Sequence, residues 1–485
     1  MGDEGSPPSY TVDDALGSTG FGKFQALALA YSGVGYAAEA MEVMLLSFIG
    51  GPLREEWGLT SGQESLITSV VFVGMMVGAS SWGVVSDNYG RRKGFLFTAL
   101  VTCGAGFLGA FAPNYISFVV LRFMVGIGLG GGSVLLSWFL EFVPTNNRGT
   151  WMIVFTCFWS VGTVLEASLA WAVMPRLGWR WLLALSALPS FLLLLFYGVA
   201  PESPRYLCMK GRTDEAVDIL QRVARVNHKP LPYGKLVSEC KVELDEKLNP
   251  SECAHLIPVQ NNKTANEDAK SKTRGIRALR SILSPPLIRS TLLLWMDFFG
   301  NVFAYYGVSL LTTELVTEKR CSVMLNSSLS ESSGPYKDVF ITSFAEFPGF
   351  LLSAAIVDRV GRKLSMLAML SICGIFLMPL IFHQSEVLTT ALLFGARICI
   401  AGSFNTLYIY APEIYPTSIR STGFGIANSI GRIGGIVCPL VAVGLVEGCH
   451  QMEAVLLFEL VIFLSAMAVS FFPFETKGRE LSDFL

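Results

Sequence analysis

The sequence predicts an all-α membrane protein: twelve transmembrane helices in two pseudo-symmetric six-helix halves. Three observations carry that prediction. Only 15% of the 485 residues are charged while 52% are apolar, with a mean hydropathy of +0.51; a globular chain carries roughly 25% charge. Twelve apolar runs, each near the ~20 residues that cross a bilayer, fall at 24–50, 62–85, 94–112, 115–137, 150–173, 178–199, 287–315, 338–357, 364–382, 387–410, 422–446 and 451–472. The chain also repeats itself at a near-constant offset. Asp87-Asn88-Tyr89-Gly90-Arg91-Arg92-Lys93 returns 271 residues later as Asp358-Arg359-Val360-Gly361-Arg362-Lys363. Glu141-x-x-Pro144-Thr145-x-x-Arg148 returns as Glu413-x-x-Pro416-Thr417-x-x-Arg420, and Pro201-Glu202-Ser203-Pro204-Arg205 has a looser echo in Glu475-Thr476-Lys477-Gly478-Arg479. A soluble enzyme, a collagenous chain and a disordered chain are excluded. A net charge of −2 leaves no electrostatic footprint for nucleic acid.

Domain boundaries and orientation follow. We read a cytoplasmic N-terminal tail (1–20), a first half (21–200), a cytoplasmic loop (201–286), a second half (287–473) and a cytoplasmic C-terminal tail (474–485). With both termini inside, 27 of the 36 Lys and Arg are cytoplasmic, and only Arg122, Arg397 and Arg432 lie within spans. Met1–Glu4 is acidic and no short cleavable core follows, so the first span is expected to serve as an uncleaved insertion signal. Met1-Gly2 with Ser6 fits a myristoylation pattern only formally, since twelve spans make such an anchor pointless. In the loop, Thr213-Asp214-Glu215 opens a short amphipathic helix with Ala216, Val217, Leu220, Val223 and Ala224 on one face and Arg222 and Arg225 near its end. It is expected along the cytoplasmic face between the halves, and residues 249–275 read as a flexible linker.

Of ten cysteines, five (Cys103, Cys157, Cys373, Cys399, Cys438) lie in spans and behave as small apolar residues. Cys208, Cys240 and Cys253 are expected reduced, and only Cys321 and Cys449 fall outside, bridged or as two free thiols. No Cys/His spacing suggests a metal, and His228, His255, His383 and His450 are scattered over loops, so neither a metal site, a cofactor nor an enzyme is expected. Asn326-Ser327-Ser328 is a glycosylation sequon on the outer side, whereas Asn262-Lys263-Thr264 is placed inside.

All three repeated motifs face the cytoplasm. Their charges (Asp87, Arg91, Arg92, Glu141 and Arg148; Asp358, Arg362, Glu413 and Arg420) can form a gate that holds the halves together and breaks on opening. The alternative is that the basic members only set topology, although topology alone requires neither the acids nor the spacing.

These motifs resemble the major facilitator superfamily over nearly the whole chain. Gly83-x-x-x-Asp87-x-x-Gly90-Arg91-Arg92, the Pro201–Arg205 run and the Glu413–Arg420 run are similar to its sugar-porter branch. Glu39-Ala40-Met41-Glu42, Phe303-Ala304-Tyr305-Tyr306-Gly307, Tyr408–Glu413 and Gly431-Arg432-Ile433-Gly434-Gly435 are similar to the synaptic-vesicle-protein-related group within it, and most of all to plant organic cation/carnitine and niacin transporters. Ala354 stands where Gly83 stands in the first half. Met296-Asp297 replaces the Gln pair of typical sugar porters in span seven, which argues against hexose. The resemblance implies alternating access around a site between the halves. It implies nicotinate or a related pyridine compound as substrate, with a carnitine-like organic cation as the alternative and a membrane receptor without net flux as a rival from another class. The expected partners are a small-molecule substrate, protons and the lipid bilayer; the expected state is a monomer in the plasma membrane.

Ionisable groups within spans are costly, so they mark mechanism. Glu39 and Glu42 are three apart on span one, and like charges this close compete for ionisation. They are candidates for proton coupling or for the counter-charge of a cationic substrate; permanent pairing of one with an Arg is the structural alternative. In span four Arg122 is a candidate carboxylate ligand. The following Gly126, Gly128, Gly130, Gly131 and Gly132 formally spell a dinucleotide motif, but no strand precedes them, and close helix packing is the better reading. Asp297, Asn301 and Tyr305 form a stripe on one face of span seven. Glu166, Glu346 and Arg397 add charge, and Arg432, with Asn428 one turn before it, either binds substrate or locks to Glu346. Trp138, Trp159, Trp295 and Tyr306 offer faces for a flat ring or a quaternary ammonium, against ordinary packing as the commoner role of any one aromatic.

Overall fold

The computed structural model of the protein describes residues 9–144, 148–237, 282–285, 287–317, 334–382, 384–415, 420–446 and 450–477. Asn262, Asn326, Cys240, Cys253, Cys321 and Cys449 lie outside them. The side chains of Asp87, Arg148, Asp358 and Arg420 also lie outside the description. Cys103, Cys157, Cys208, Cys373, Cys399 and Cys438 are free thiols.

Among the described residues, ten helices are long and apolar enough to cross a membrane, from Lys23–Trp57 to Gln451–Ser470. The third and seventh positions are filled by helices Arg91–Gly109 and Ile288–Thr317, which complete twelve spans. Both are diluted by polar groups: three basic residues open the third, and Asp297 and Asn301 interrupt the seventh. Several spans are broken near mid-membrane. The first divides into Lys23–Met44 and Leu46–Trp57, the fourth into Tyr115–Leu129 and Gly132–Leu140, and the eighth into Gly334–Ser343 and Glu346–Val360. Within each half the helices pack in corresponding pairs, two with four and eight with ten; span eleven packs along span seven and also crosses to span two of the other half.

The repeated motifs gather at one end, here the charged end, and they assemble alike in both halves. Gly90 and Gly361 take positive φ values of 108° and 105°, turning the chain sharply between successive helices. A Cβ on Gly90 would meet the Glu202 carboxylate at 2.3 Å, and one on Gly361 would meet Glu475 at 2.8 Å. Those carboxylates cap the helices that follow: Glu202 accepts from the Arg92 backbone N at 3.0 Å, and Glu475 from the Arg362 and Lys363 backbone N at 2.8 and 2.9 Å. Arg91 pairs with Glu141 at 3.0 Å and Arg362 with Glu413 at 3.3 Å. Arg92 lies over the Tyr197 ring, 4.4 Å from its centroid. These contacts join residues of the same half.

Among the described residues, bonds between halves lie at mid-span and towards the far end. Ser69 donates to the Ile436 carbonyl at 2.7 Å, Ser65 to the Pro439 carbonyl at 3.2 Å, and the Trp171 and Phe340 rings stand 5.5 Å apart. Each charged-end network is thus built within its own half by the contacts named, and these bonds between the halves lie further along the spans.

The N-terminal segment is folded. Ser9–Tyr10 pairs in parallel with Lys235–Leu236, and helix Val12–Thr19 buries Ala15 and Leu16 in a cluster with Leu207, Ala216 and Leu220. The amphipathic helix spans Thr213–Asn227 and buries Ala216, Leu220, Val223 and Ala224. It packs on the first half rather than between the halves, because Asn227 accepts from the Phe24 backbone N at 3.0 Å and donates to Gln25 at 2.8 Å, tying it to the start of span one. Asp14 completes a capping box by accepting from the Thr11 backbone N at 2.9 Å, and that bond holds its carboxyl below the ordinary range. A lowered pKa contributes stability that is present above the unfolded value and lost as pH falls through the folded one. Amide exchange across Ser9–Thr19 is accordingly expected to be slow at neutral pH and to rise selectively on acidification; Asp14→Ala should show the faster exchange, after correction for intrinsic rates, already at neutral pH.

Candidate transport site

Each half buries one carboxylate against one arginine. In the first, Arg122 Nη1 meets Glu42 Oε2 at 3.1 Å, with both side chains fully buried. Two glycines of span three make the space: a Cβ on Gly106 would lie 2.6 Å from Glu42 Oε1, and one on Gly109 2.9 Å from Arg122 Nη2. Those two atoms and Arg122 Nε have no hydrogen-bond partner among the described residues. Phe118 covers the guanidinium at 5.3 Å. A buried pair of this kind contributes little net stability, yet removing one member strands the other. Glu166 is not a member of this pair; both its oxygens lie 2.9 Å from Ser186 Oγ and share its one hydrogen.

The second pair is part of a network that crosses the interface. Arg397 Nη2 meets Glu346 Oε1 at 2.9 Å, and the same oxygen accepts from the Tyr305 hydroxyl at 2.7 Å. From the first half, Trp159 Nε1 donates to Tyr305 Oη at 2.8 Å and Thr163 donates to Glu346 Oε2 at 3.3 Å. Beside this network lies a cavity of about 20 Å³, room for about one water, lined by Ala40, Met44, Phe72, Trp159, Tyr306 and Arg397.

Glu39 and Arg432 differ from these four. Both lie well inside spans yet remain partly exposed, so they line an opening within the bundle. Arg432 Nη1 reaches Tyr306 Oη at 3.4 Å and Met75 Sδ at 3.8 Å. Among the described residues no carboxylate stands within 4 Å of it, although Glu39 and Arg432 feel each other's charge. Gly132 makes room for Glu39, since a Cβ there would lie 2.3 Å from its Oε2. Aromatic rings surround the two charges. Tyr36 stands 5.1 Å from Trp159, Tyr306 4.7 Å from Phe72 and Tyr408 4.9 Å from Phe404. The arrangement presents one carboxyl group, one guanidinium and ring faces from both halves, which suits a small solute bearing a carboxylate and a flat or cationic nitrogen group.

The remaining candidates are placed as follows. Glu39 and Glu42 diverge to different neighbours despite their spacing. Trp138 is buried at the charged end, donating to the Pro201 carbonyl at 2.9 Å. The Asp297, Asn301 and Tyr305 stripe is buried; Asn301 donates to Asp297 at 2.7 Å, and the stripe ends on Glu346. Glu346 is held by Arg397 instead of Arg432, and Asn428 accepts from Tyr408 at 2.9 Å. The Trp295 indole N–H is buried without a hydrogen-bond partner among the described residues. Sequence reasoning did not single out Tyr36, Thr163 or Phe404, nor Glu459, whose carboxyl group faces Gly374 from span twelve. Only Glu459 carried a signal, as a carboxylate within an apolar run.

The glycines of span four serve several neighbours. A Cβ on Gly126 would meet the Val71 carbonyl at 2.2 Å and one on Gly130 the Met75 carbonyl at 2.6 Å, both on span two, while Gly128 and Gly131 abut Thr102 and Thr98 on span three. Backbone cannot yield as a side-chain tip can. Gly126→Leu is therefore expected to cost at least 1–3 kcal/mol, read as a lowered unfolding temperature; Gly104→Leu, which meets nothing within 4 Å, should leave that temperature nearly unchanged.

The comparisons agree with this architecture. Residues 31–484 match the family model described as sugar (and other) transporter. Organic cation/carnitine transporter 7 of Arabidopsis thaliana is 59% identical over 480 residues, covering 98% of this chain and 96% of that protein. The synaptic vesicle 2-related protein of Xenopus laevis is 38% identical, covering 98% and 83%. Among solved structures, a partially occluded inward-open form of the xylose transporter XylE from E. coli aligns with a TM-score of 0.68 at 14% identity, over 93% of this chain and all of that one. At that identity the likeness concerns the fold alone. The chain belongs to the sugar (and other) transporter family of the major facilitator superfamily, a family of multi-pass membrane transporters.

Proposed function

We propose that the protein is a proton-coupled secondary transporter of a small organic carboxylate, nicotinate or a related pyridine compound, working by alternating access in the plasma membrane with its charged end in the cytoplasm. The observation that carries this reading is the partly exposed Arg432 among aromatic rings, without a carboxylate within 4 Å among the described residues. A guanidinium in that setting binds a carboxylate bidentately, and the rings take the flat heterocycle. Glu42 is the proposed proton carrier, since the proton it takes up frees Arg122. The motif charges are the proposed gate at the charged end, where the two networks would approach as the far end opens.

Glu39 favours a second reading, transport of an organic cation or carnitine, which the name of the 59%-identical relative supports at least as well. A carnitine-like zwitterion would place its carboxylate on Arg432 and its quaternary nitrogen near Glu39 and the rings. Both readings are tested by uptake into proteoliposomes, with nicotinate, trigonelline and carnitine in competition at two pH values. Accumulation driven by an inward proton gradient is the expected result. Binding without accumulation would make the protein a receptor, and pH dependence unchanged in both Glu39→Gln and Glu42→Gln would sink the proton coupling.

A further inference from the structure

Between spans one and six, at the charged end, lies a cavity of about 420 Å³ whose walls include Ala28, Tyr31, Trp138, Leu193, Phe196 and Arg222. It is remote in composition from the transport site and shares none of its charged residues. Its floor is buried, at Ala28, Trp138 and Leu193, while Phe196 is 52% exposed at its rim. The polar groups within it are already committed: Tyr31 donates to the Leu193 carbonyl and Trp138 to the Pro201 carbonyl, each at 2.9 Å. The cleft therefore offers a ligand hydrocarbon contacts and little else. Arg222, on the amphipathic helix, is the exception. It is exposed, and no ion pair among the described residues involves it.

We infer that this cleft is a binding site for an anionic phospholipid of the leaflet at the charged end, with an acyl chain along spans one and six and the headgroup phosphate at Arg222. Depth agrees with one leaflet. The lining of span one runs from Phe24 to Val34, which is about 15 Å of helix and half of the ~30 Å hydrocarbon core. The helix bearing Arg222 is tied to the start of span one through Asn227, so the cation is held at the mouth of the cleft. A phosphodiester alone would lack the apolar contacts, and a zwitterionic lipid would bring its own cation beside the guanidinium, which weakens the attraction relative to a headgroup of net negative charge.

The test is native mass spectrometry of the full chain equilibrated with phosphatidylcholine membranes containing one-fifth phosphatidylserine. The parent should retain phosphatidylserine over Arg222→Gln by about fivefold, the effect of one basic group near a membrane surface. Arg225→Gln, on the same helix but outside the cleft, should match the parent. Ala30→Trp, which fills the exposed lip, should reduce retention of both lipids. Equal retention in the parent and Arg222→Gln overturns the site, as does an equal loss in Arg225→Gln, which would indicate diffuse surface charge. Because Arg222 is exposed, its variant is expected to unfold at the parent's temperature.

Discussion

Arg122→Leu is expected to lower stability by about 3–5 kcal/mol, the effect of removing one member of a buried ion pair, and to abolish gradient-driven uptake. The magnitude follows from burial: Glu42 would be left with no hydrogen-bond donor in a site that excludes water. Thermal unfolding of the purified protein reads the loss directly. The double variant Arg122→Leu, Glu42→Leu should recover most of it, since neither charge then remains to be compensated. Glu42→Gln tests the coupling. It keeps shape and a hydrogen-bonding group beside Arg122 but removes that cation's counter-charge, so the unfolding temperature should fall, exchange of substrate across the membrane should persist, and the response to a proton gradient should disappear. An Arg122→Leu protein that unfolds at the parent's temperature would show that the pair is not the electrostatic centre of the first half.

Arg432→Ala is expected to raise the KM for nicotinate about 30-fold, corresponding to the roughly 2 kcal/mol of a charge-assisted hydrogen-bonded contact. Stability should hardly change, because among the described residues the hydrogen bonds of Arg432 are the weak ones to Tyr306 and Met75, and its removal strands no carboxylate within 4 Å. Glu39→Gln divides the two substrate readings. Nicotinate, with no fixed cation, should retain its KM, whereas carnitine should weaken by a factor near that of Arg432→Ala. Substrate-concentration series for both solutes in both variants form the test. A KM for every solute unmoved by Arg432→Ala would remove Arg432 from the site.

Much of this was legible in the sequence because lipid is an unforgiving solvent. Apolar runs must be helices there, so the spans could be located by hydropathy, and a charge inside one had to have a reason. The repeat was visible because backbone geometry requires it: the positive φ at Gly90 and Gly361 and the carboxylates seated against them recur in both halves. Pairing was not legible. Spacing placed Glu39 and Glu42 on one helical face, yet a 60° difference in direction sends one to Arg122 and leaves the other beside the opening. Which arginine Glu346 meets depends on how spans eight, ten and eleven cross, which no local pattern encodes. Tyr36 and Phe404 were invisible for a simpler reason: aromatic residues are common in spans, and nothing marks the few that face inward.

The hydrogen bonds from Trp159 and Thr163 across to Tyr305 and Glu346 have a kinetic consequence. In the proposed alternating access they break as the far end opens, and each contributes about 0.5–1.5 kcal/mol. Two of them bias the resting population away from the opened state by roughly five- to a hundred-and-fiftyfold. A solute arriving from the far side then meets a binding-competent carrier only a small fraction of the time, and its apparent affinity falls by the same fraction. Affinities measured from the two faces of the membrane should therefore be unequal, even with a single set of binding residues.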